Sequence, residues 1–373
     1  MCMKSIVDCP ELRGKYVLVR SSCNVPVTDG VVQNAYRLKR ALPTLQFLHA
    51  AGARVIVVAH IGRDESDTLK PVYEVFLNLI GVQWGGSIGS AEFTAALSRL
   101  ADGDIVIAEN LRQDPREVGN DAGFAAELAA LADIYVDDAF DNIHRDHASM
   151  VGVPALLPAY SGITLKEEVT ELTKAMEPAS PALLILGGAK FETKMPLVEK
   201  YLDLYDNVFV TGALLNDILK AEGHEVGQSL VSDISLKGAD FLSSAKLIHA
   251  IDVVVTSDRG MRTASIDDVQ SDEKITDMGP LTIGALAPYI KDAATILWNG
   301  PLGLYESGVA GGTHAVAKLI ADAPGYSIIG GGDTVAAIED LGLNDQFGFV
   351  SIGGGAMLTL LEHGTTPALE ALE

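Results

Sequence analysis

Cysteine is scarce. The chain has three, Cys2, Cys9 and Cys23, all near its start. Their spacing matches no zinc motif, and an odd number offers no disulfide framework. A reducing, cytoplasmic setting is the expectation. Long apolar runs are also missing: no stretch reaches the roughly 18 residues of a membrane span, and the N-terminus lacks a signal-peptide core. Positive charge is in short supply, with 27 Lys and Arg against 50 Asp and Glu and a net charge of −23. That balance argues against nucleic acid and anionic membranes as partners. Two phosphate signatures are absent as well. No Gly-x-x-x-x-Gly-Lys-Ser/Thr occurs, which excludes a P-loop enzyme, and no Gly-x-Gly-x-x-Gly, which weakens a dinucleotide-dependent dehydrogenase.

The few cations are unevenly placed. Ten of twelve arginines fall between Arg13 and Arg145, whereas eleven of fifteen lysines lie from Lys166 onward. Arginine forks suit carboxylate and phosphate, so the first half reads as built to hold a small polyanion. A solvated basic face is the plainer alternative.

At 373 residues the chain exceeds the size at which single cores stop growing, so two domains are expected. Lys15–Arg20, Arg54–Val58, Asp104–Ala108 and Ile134–Val136 read as buried strands separated by helical stretches. That is the signature of a parallel α/β sheet. Ala35–Ala50 has helical spacing, with a bend or break expected at Pro43 and Gly52 as the stop. A break at 152–162 precedes a charged amphipathic helix over 164–176, read as a linker between two bodies. The strand–helix rhythm resumes with Leu183–Leu186, Val208–Val210, Val253–Val255, Ile296–Trp298, Ser327–Ile329 and Phe349–Ser351. The expected fold is α/β: two lobes, each a parallel sheet flanked by helices, joined by a linker helix. The boundaries fall at 1–155, 156–178 and 179–356, with 357–373 as a closing segment.

Ligands of such sheets bind beyond the carboxyl ends of the strands. In the first half those ends carry Asn24, His60 with Arg63, Arg112, and His144 with Arg145, while Arg37 opens the first long helix. Gathered together, four arginines would face one pocket, each charged hydrogen bond to an anion contributing about 1.5–3 kcal/mol. Taken singly, a histidine such as His60 or His144 is more often a hydrogen-bonded structural residue than a ligand contact. In the second half, Tyr326–Ile329 runs into Gly330, Gly331 and Gly332, then Asp333, Thr334 and a helical stretch. A glycine turn that opens a helix exposes amides and the positive end of the dipole to an anion. Asp333 there repels bare phosphate but fits phosphate carrying Mg²⁺; the alternative is an ordinary N-cap at Asp333 or Thr334. Gly353–Ala356 repeats the arrangement, and Gly187–Lys190 adds Lys190, with Lys194 on the same helix face. One arginine-lined and one amide-lined anion site suit phosphoryl transfer between a small anion and Mg-nucleotide.

Eight strings occur in order: Arg20-Ser-Ser-Cys-Asn-Val-Pro26, Ala59-His-Ile-Gly-Arg63, Glu109-Asn-Leu-Arg112, Tyr135-Val-Asp-Asp-Ala-Phe140 with His144-Arg145, Gly187-Gly-Ala-Lys190, Trp298-Asn-Gly-Pro301, Gly330-Gly-Gly-Asp-Thr334 and Gly353-Gly-Gly-Ala356. Over nearly its whole length the chain resembles phosphoglycerate kinase. The resemblance implies two Rossmann-like lobes, a monomer, and an N-terminal lobe that takes 3-phosphoglycerate or 1,3-bisphosphoglycerate. It assigns Ser22, Asn24, Arg37, His60, Arg63, Arg112, His144 and Arg145 to that substrate, with Arg37 steadying the moving phosphoryl group. To MgADP or MgATP it assigns Lys190, Lys194, Gly212, Glu306, Gly331, Gly332, Asp333 and Thr334, with Asp333 toward the metal. Arg37, Lys194, Gly332 and Gly354 are the catalytic set, Gly354 donating its amide to the transferring group. The last segment, 366–372, is expected to fold back on the first lobe.

The chain departs from the family pattern at several points. Ser22 stands where the family's Arg-x-Asp-x-Asn has the Asp that holds a substrate hydroxyl, a loss of about 1.5–3 kcal/mol if nothing replaces it. Asp137 replaces an Asn, Asp141-Asn142 a Gly-Thr, Thr193 an Asp and Ile352 a Thr. These changes leave two other readings open: a nucleotide-binding relative with a decayed substrate site, and a kinase of another small carboxylate.

Overall fold

The computed structural model describes residues 3–189 and 191–373, with backbone alone at 192 and 193. The chain divides into two compact units, Met1–Thr170 with Thr365–Glu373, and Glu171–Gly364. Among the described residues no helix is long and apolar enough to cross a membrane.

The first unit is built on a six-stranded parallel sheet, in the order Gln83–Gly86, Ile105–Ala108, Arg54–Val58, Tyr16–Ser21, Ile134–Asp138, Ala159–Ser161. Its central strands are unbroken apolar runs such as Val55-Ile-Val-Val58, buried at every position. Only a sheet covered on both faces buries consecutive residues in that way. The register pairs Arg20 with Val58 and Asp137, and Ser21 with Asp138. The residues that follow these three strands therefore emerge side by side. The two edge strands carry no apolar run of their own: Gln83-Trp-Gly-Gly86 contains two glycines, and Ala159–Ser161 is three residues long.

The helix Tyr36–Ala50 runs unbroken through Pro43, pinned to the sheet by buried Leu38, Ala41, Leu45 and Leu48. Its N-terminus is anchored where the Tyr36 amide donates to Asn34 Oδ1 at 2.7 Å. The helix Ile163–Met176 carries the chain from the first unit into the second. The closing helix Pro367–Ala371 belongs to the first unit. There Ala368 and Leu369 are buried, and the Ala368 amide donates to the Ile143 carbonyl at 3.2 Å.

The second unit holds another six-stranded parallel sheet, ordered Leu247–Ile248, Asn207–Val210, Ala182–Leu186, Thr295–Asn299, Tyr326–Gly330, Phe349–Val350. The run Val253–Val255, expected to join this sheet, does not. It lies within Asp252–Ser257, the middle strand of a separate antiparallel sheet with Gly260–Ser265 and Lys274–Met278. Only Asp258 and Arg259 separate the first two of these strands. A connection that short makes a hairpin and leaves no room for the helical crossover that a parallel pair needs.

Candidate functional site

In the first unit the expected cations do converge. Arg20, on the central strand, is fully buried. Its Nε donates to Ser149 Oγ at 2.9 Å and one amino group to the Ser21 carbonyl at 2.9 Å. The other meets His60 Nδ1 at 2.9 Å. A guanidinium only donates, so Nδ1 must accept, which places the imidazole proton on Nε2. Burial first, then the charges of Arg20, Arg112, His147 and Arg37, holds His60 far below its usual range. His60 is thus a neutral N–H donor. Arg112 is half-buried, donates to the Gly62 carbonyl, and sits in the fields of Arg20, Arg145 and Arg63. Arg63 and Arg145 are exposed beside it.

Arg37 donates to the Asn24 carbonyl at 2.5 Å and lies 3.7 Å from Asp141 Oδ2. Asn24 turns its own side chain inward to accept the Gly62 amide at 3.0 Å. Ser22 is buried, and its hydroxyl donates to Asp141 Oδ1 at 2.5 Å. Burial and then Arg145 lower His144 to about 4, and its Nδ1 is buried with no hydrogen-bond partner.

Arg20, His147, Ser149 and Glu117 had not been singled out from the sequence. Glu117, fully buried, accepts the Ser149 hydroxyl at 2.6 Å and the Ser149 amide at 3.0 Å. It is the counter-charge reached from Arg20 through that hydroxyl. Burial, then Arg20 and Arg112, lowers His147 to about 4. The sequence signal was an arginine closing an otherwise apolar strand, and a second histidine three residues after His144. Cys23 is excluded as a nucleophile, because burial pushes its thiol up to about 12.

Asp137, the penultimate residue of its strand, is fully buried, and Oδ1 accepts the Ala139 amide at 2.9 Å. Burial pushes its carboxyl from 3.8 up to about 7. A raised carboxyl favours the folded state when protonated. Its contribution is complete below pH 3.8 and is lost as pH rises through about 7. Each pH unit of separation is worth about 1.4 kcal/mol, so Asp137→Asn should stabilise the protein by about 2–4 kcal/mol at pH 8. The gain should shrink toward pH 4. Urea unfolding at the two pH values measures it, and an equal effect at both would contradict a buried, protonatable carboxyl.

In the second unit, glycine turns follow three strands of the parallel sheet and open helices. Gly212 precedes the helix Ala213–Glu222, Gly331 precedes Gly332–Asp340, and Gly353 precedes Gly354–His363, none with a side-chain cap. Their first-turn amides are left for a ligand. The turns pack backbone to backbone. A Cβ on Gly354 would lie 3.2 Å from Gly331 Cα, and one on Gly212 2.5 Å from the Gly188 nitrogen. At Gly332 a Cβ would meet nothing within 4 Å, so that residue borders open space. Thr334 is buried, and its hydroxyl accepts the Gly300 amide at 3.0 Å, which engages it in joining two turns.

Lys194 is buried and donates to the Gly187 carbonyl. Lys190 lies outside the described residues, as does the side chain of Thr193. Asp333 lines a cavity of about 180 Å³ with Gly188, Gly212, Asn216, Pro301 and exposed Glu306. Burial and then Glu306 push the Asp333 carboxyl above its ordinary value, while Lys194 pulls it back. Asn216, missed in the sequence, has a buried Oδ1 without a hydrogen-bond partner beside this cavity. Among the described residues no group of three or more His, Cys, Asp or Glu side chains is placed to hold a metal by itself.

The family model described as phosphoglycerate kinase matches residues 6–364. A phosphoglycerate kinase of Roseiflexus sp. (strain RS-1) is 38% identical, covering 100% of this chain and 99% of its own. That of Herpetosiphon aurantiacus is 40% identical, with 96% of each chain covered. The solved phosphoglycerate kinase of Coxiella burnetii superposes with a TM-score of 0.86 at 35% identity, over 100% of this chain and 99% of its own. The Pyrococcus horikoshii OT3 structure gives 0.88 at 27% identity, over 99% and 98%. The chain belongs to the phosphoglycerate kinase family.

Proposed function

We propose that the chain moves a phosphoryl group reversibly between 1,3-bisphosphoglycerate and ADP, giving 3-phosphoglycerate and ATP. The observation that carries this reading is the gathering of arginines and a neutral His60 donor on one sheet's strand ends, matched by uncapped, glycine-opened helix starts on the other's. Loose charge on a transferring phosphoryl group is stabilised by fixed donors and cations, and little covalent chemistry is asked of the protein.

In this reading residues 1–155 form the substrate domain and 179–356 the nucleotide domain, with 156–178 as hinge and 357–373 as a returning segment. Asn24, His60, Arg63, Arg112, His144 and Arg145 hold the acid phosphate, Ser22 belongs to the same site, and Arg37 meets the migrating group. Lys190, Lys194, Gly212, Glu306, Gly331, Gly332, Asp333 and Thr334 hold the nucleotide, and the Gly354 amide points donor density at its terminal phosphate. A single acidic residue with its carboxyl raised by burial and Glu306 suits Mg²⁺ that arrives on the nucleotide, held by Asp333 and the phosphates. When bound, the ion neutralises phosphate charge. Transfer requires water to be excluded, so closure of the two domains about the hinge is part of the proposal. The enzyme is read as cytoplasmic and monomeric, with no nucleic-acid or membrane partner.

A decayed substrate site is not favoured, because the cations remain gathered and hydrogen-bonded. Purified protein should form ATP from MgADP and 1,3-bisphosphoglycerate and stop when EDTA removes the divalent ion. Absence of turnover with Mg²⁺ present would overturn the proposal. Calorimetric binding of MgADP without binding of 3-phosphoglycerate would revive the non-catalytic alternative.

A further inference from the structure

We infer that Asp141, steered by Ser22, is the group that recognises the hydroxyl of the acid phosphate and so sets specificity for a hydroxylated substrate. This rests on the substrate reading proposed above. Ser22 follows the strand Tyr16–Ser21, and Asp141 sits in the 3-10 turn Phe140–Asn142 just after Ile134–Asp138. These strands are neighbours, with Ser21 opposite Asp138, so residues 119 apart in sequence meet.

Asp141 is held from two sides. Oδ1 accepts the Ser22 hydroxyl at 2.5 Å and the Asn142 side-chain amide at 2.8 Å. Oδ2 lies 3.7 Å from Arg37, beyond hydrogen-bond distance, and the side chain is 7% exposed. A carboxylate placed only to balance Arg37 would engage the guanidinium closely and in two-pronged fashion. This one does not. Beside a pocket for a polyanion it also repels the ligand, a cost without purpose unless it accepts a hydrogen bond from it. At neutral pH the carboxylate and phosphate of 3-phosphoglycerate are acceptors, and its one good donor is the C2 hydroxyl. The arginines proposed for this site and the neutral imidazole beside them are all donors: Arg37, His60 through Nε2, Arg63, Arg112 and Arg145. Asp141 supplies the acceptor that the hydroxyl requires. Ser22 acts as its positioning residue, since the serine hydroxyl spends its proton on Oδ1.

Calorimetry with 3-phosphoglycerate and its 2-deoxy counterpart, the phosphate of 3-hydroxypropanoate, tests this. The wild type should prefer the hydroxylated ligand by about ten- to a hundredfold, the worth of a charged hydrogen bond. Asp141→Ala should lose that preference, binding 3-phosphoglycerate more weakly while the deoxy ligand binds as well as before or better. Retained deoxy binding shows that the pocket is intact. Ser22→Asp in an Asp141→Ala background returns a carboxylate to the same spot and should restore the preference. If Asp141→Ala shifts both ligands by the same factor, the carboxylate is only a background charge and the assignment fails. If the wild type binds neither ligand, the substrate reading fails first.

Discussion

Replacing Arg37 with alanine should cut turnover by about a thousandfold or more, the usual worth of an arginine that meets a transferring phosphoryl group, with MgADP affinity essentially unchanged. One amino group of Arg37 is committed to the Asn24 carbonyl at 2.5 Å, which aims the guanidinium before any ligand arrives. A charge aimed in advance stabilises developing negative charge without reorganising in the transition state. The nucleotide is assigned to the other unit, so its binding should not register the change. Arg37→Lys should recover little, because a point charge cannot keep the carbonyl contact and present a fork at once. Steady-state kinetics paired with MgADP calorimetry decides the matter. A variant that keeps wild-type kcat would remove Arg37 from the chemistry.

Gly300→Ala should destabilise the protein by about 3–5 kcal/mol, combining backbone strain and overpacking, and should weaken MgADP binding in step. Gly300 has φ +94°, a conformation that side chains rarely adopt. A Cβ there would lie 2.2 Å from the Gly187 carbonyl oxygen and 3.0 Å from Lys194 Nζ. The same residue gives its amide to Thr334 Oγ1, and the adjoining Asn299 carbonyl accepts the Gly187 amide at 2.8 Å. Three turns beside the cavity proposed for the nucleotide therefore meet at one position with no room for a methyl group. Urea unfolding and MgADP titration measure the two effects. An unfolding midpoint equal to that of the wild type would show that the turns do not depend on this junction.

The glycine turns of the candidate site were legible in the chain because their geometry is local. A glycine run between an apolar strand and a helix reads as an amide-lined turn wherever it occurs, and Gly331, Gly332 and Gly354 stand at such turns. Arg54–Val58 needs no partner to announce a doubly covered strand. The misplacement of Val253–Val255 has the same origin in reverse, since an apolar run alone does not say whether its partner is parallel. The edge strands Gln83–Gly86 and Ala159–Ser161 carried no pattern, because their place depends on the strands already there.

From residue order alone came the two parallel sheets, the glycine turns that open helices, and the skew of arginine toward the first half. Each of these is a property of neighbours along the backbone. Contacts across the fold were settled only in three dimensions. Arg20 fixes the His60 tautomer, Glu117 answers Arg20 through Ser149, and a serine at position 22 finds its carboxylate at position 141. Parallel pairing sets distant strand ends side by side, and a hydrogen bond depends on that spatial adjacency, whatever the separation along the chain.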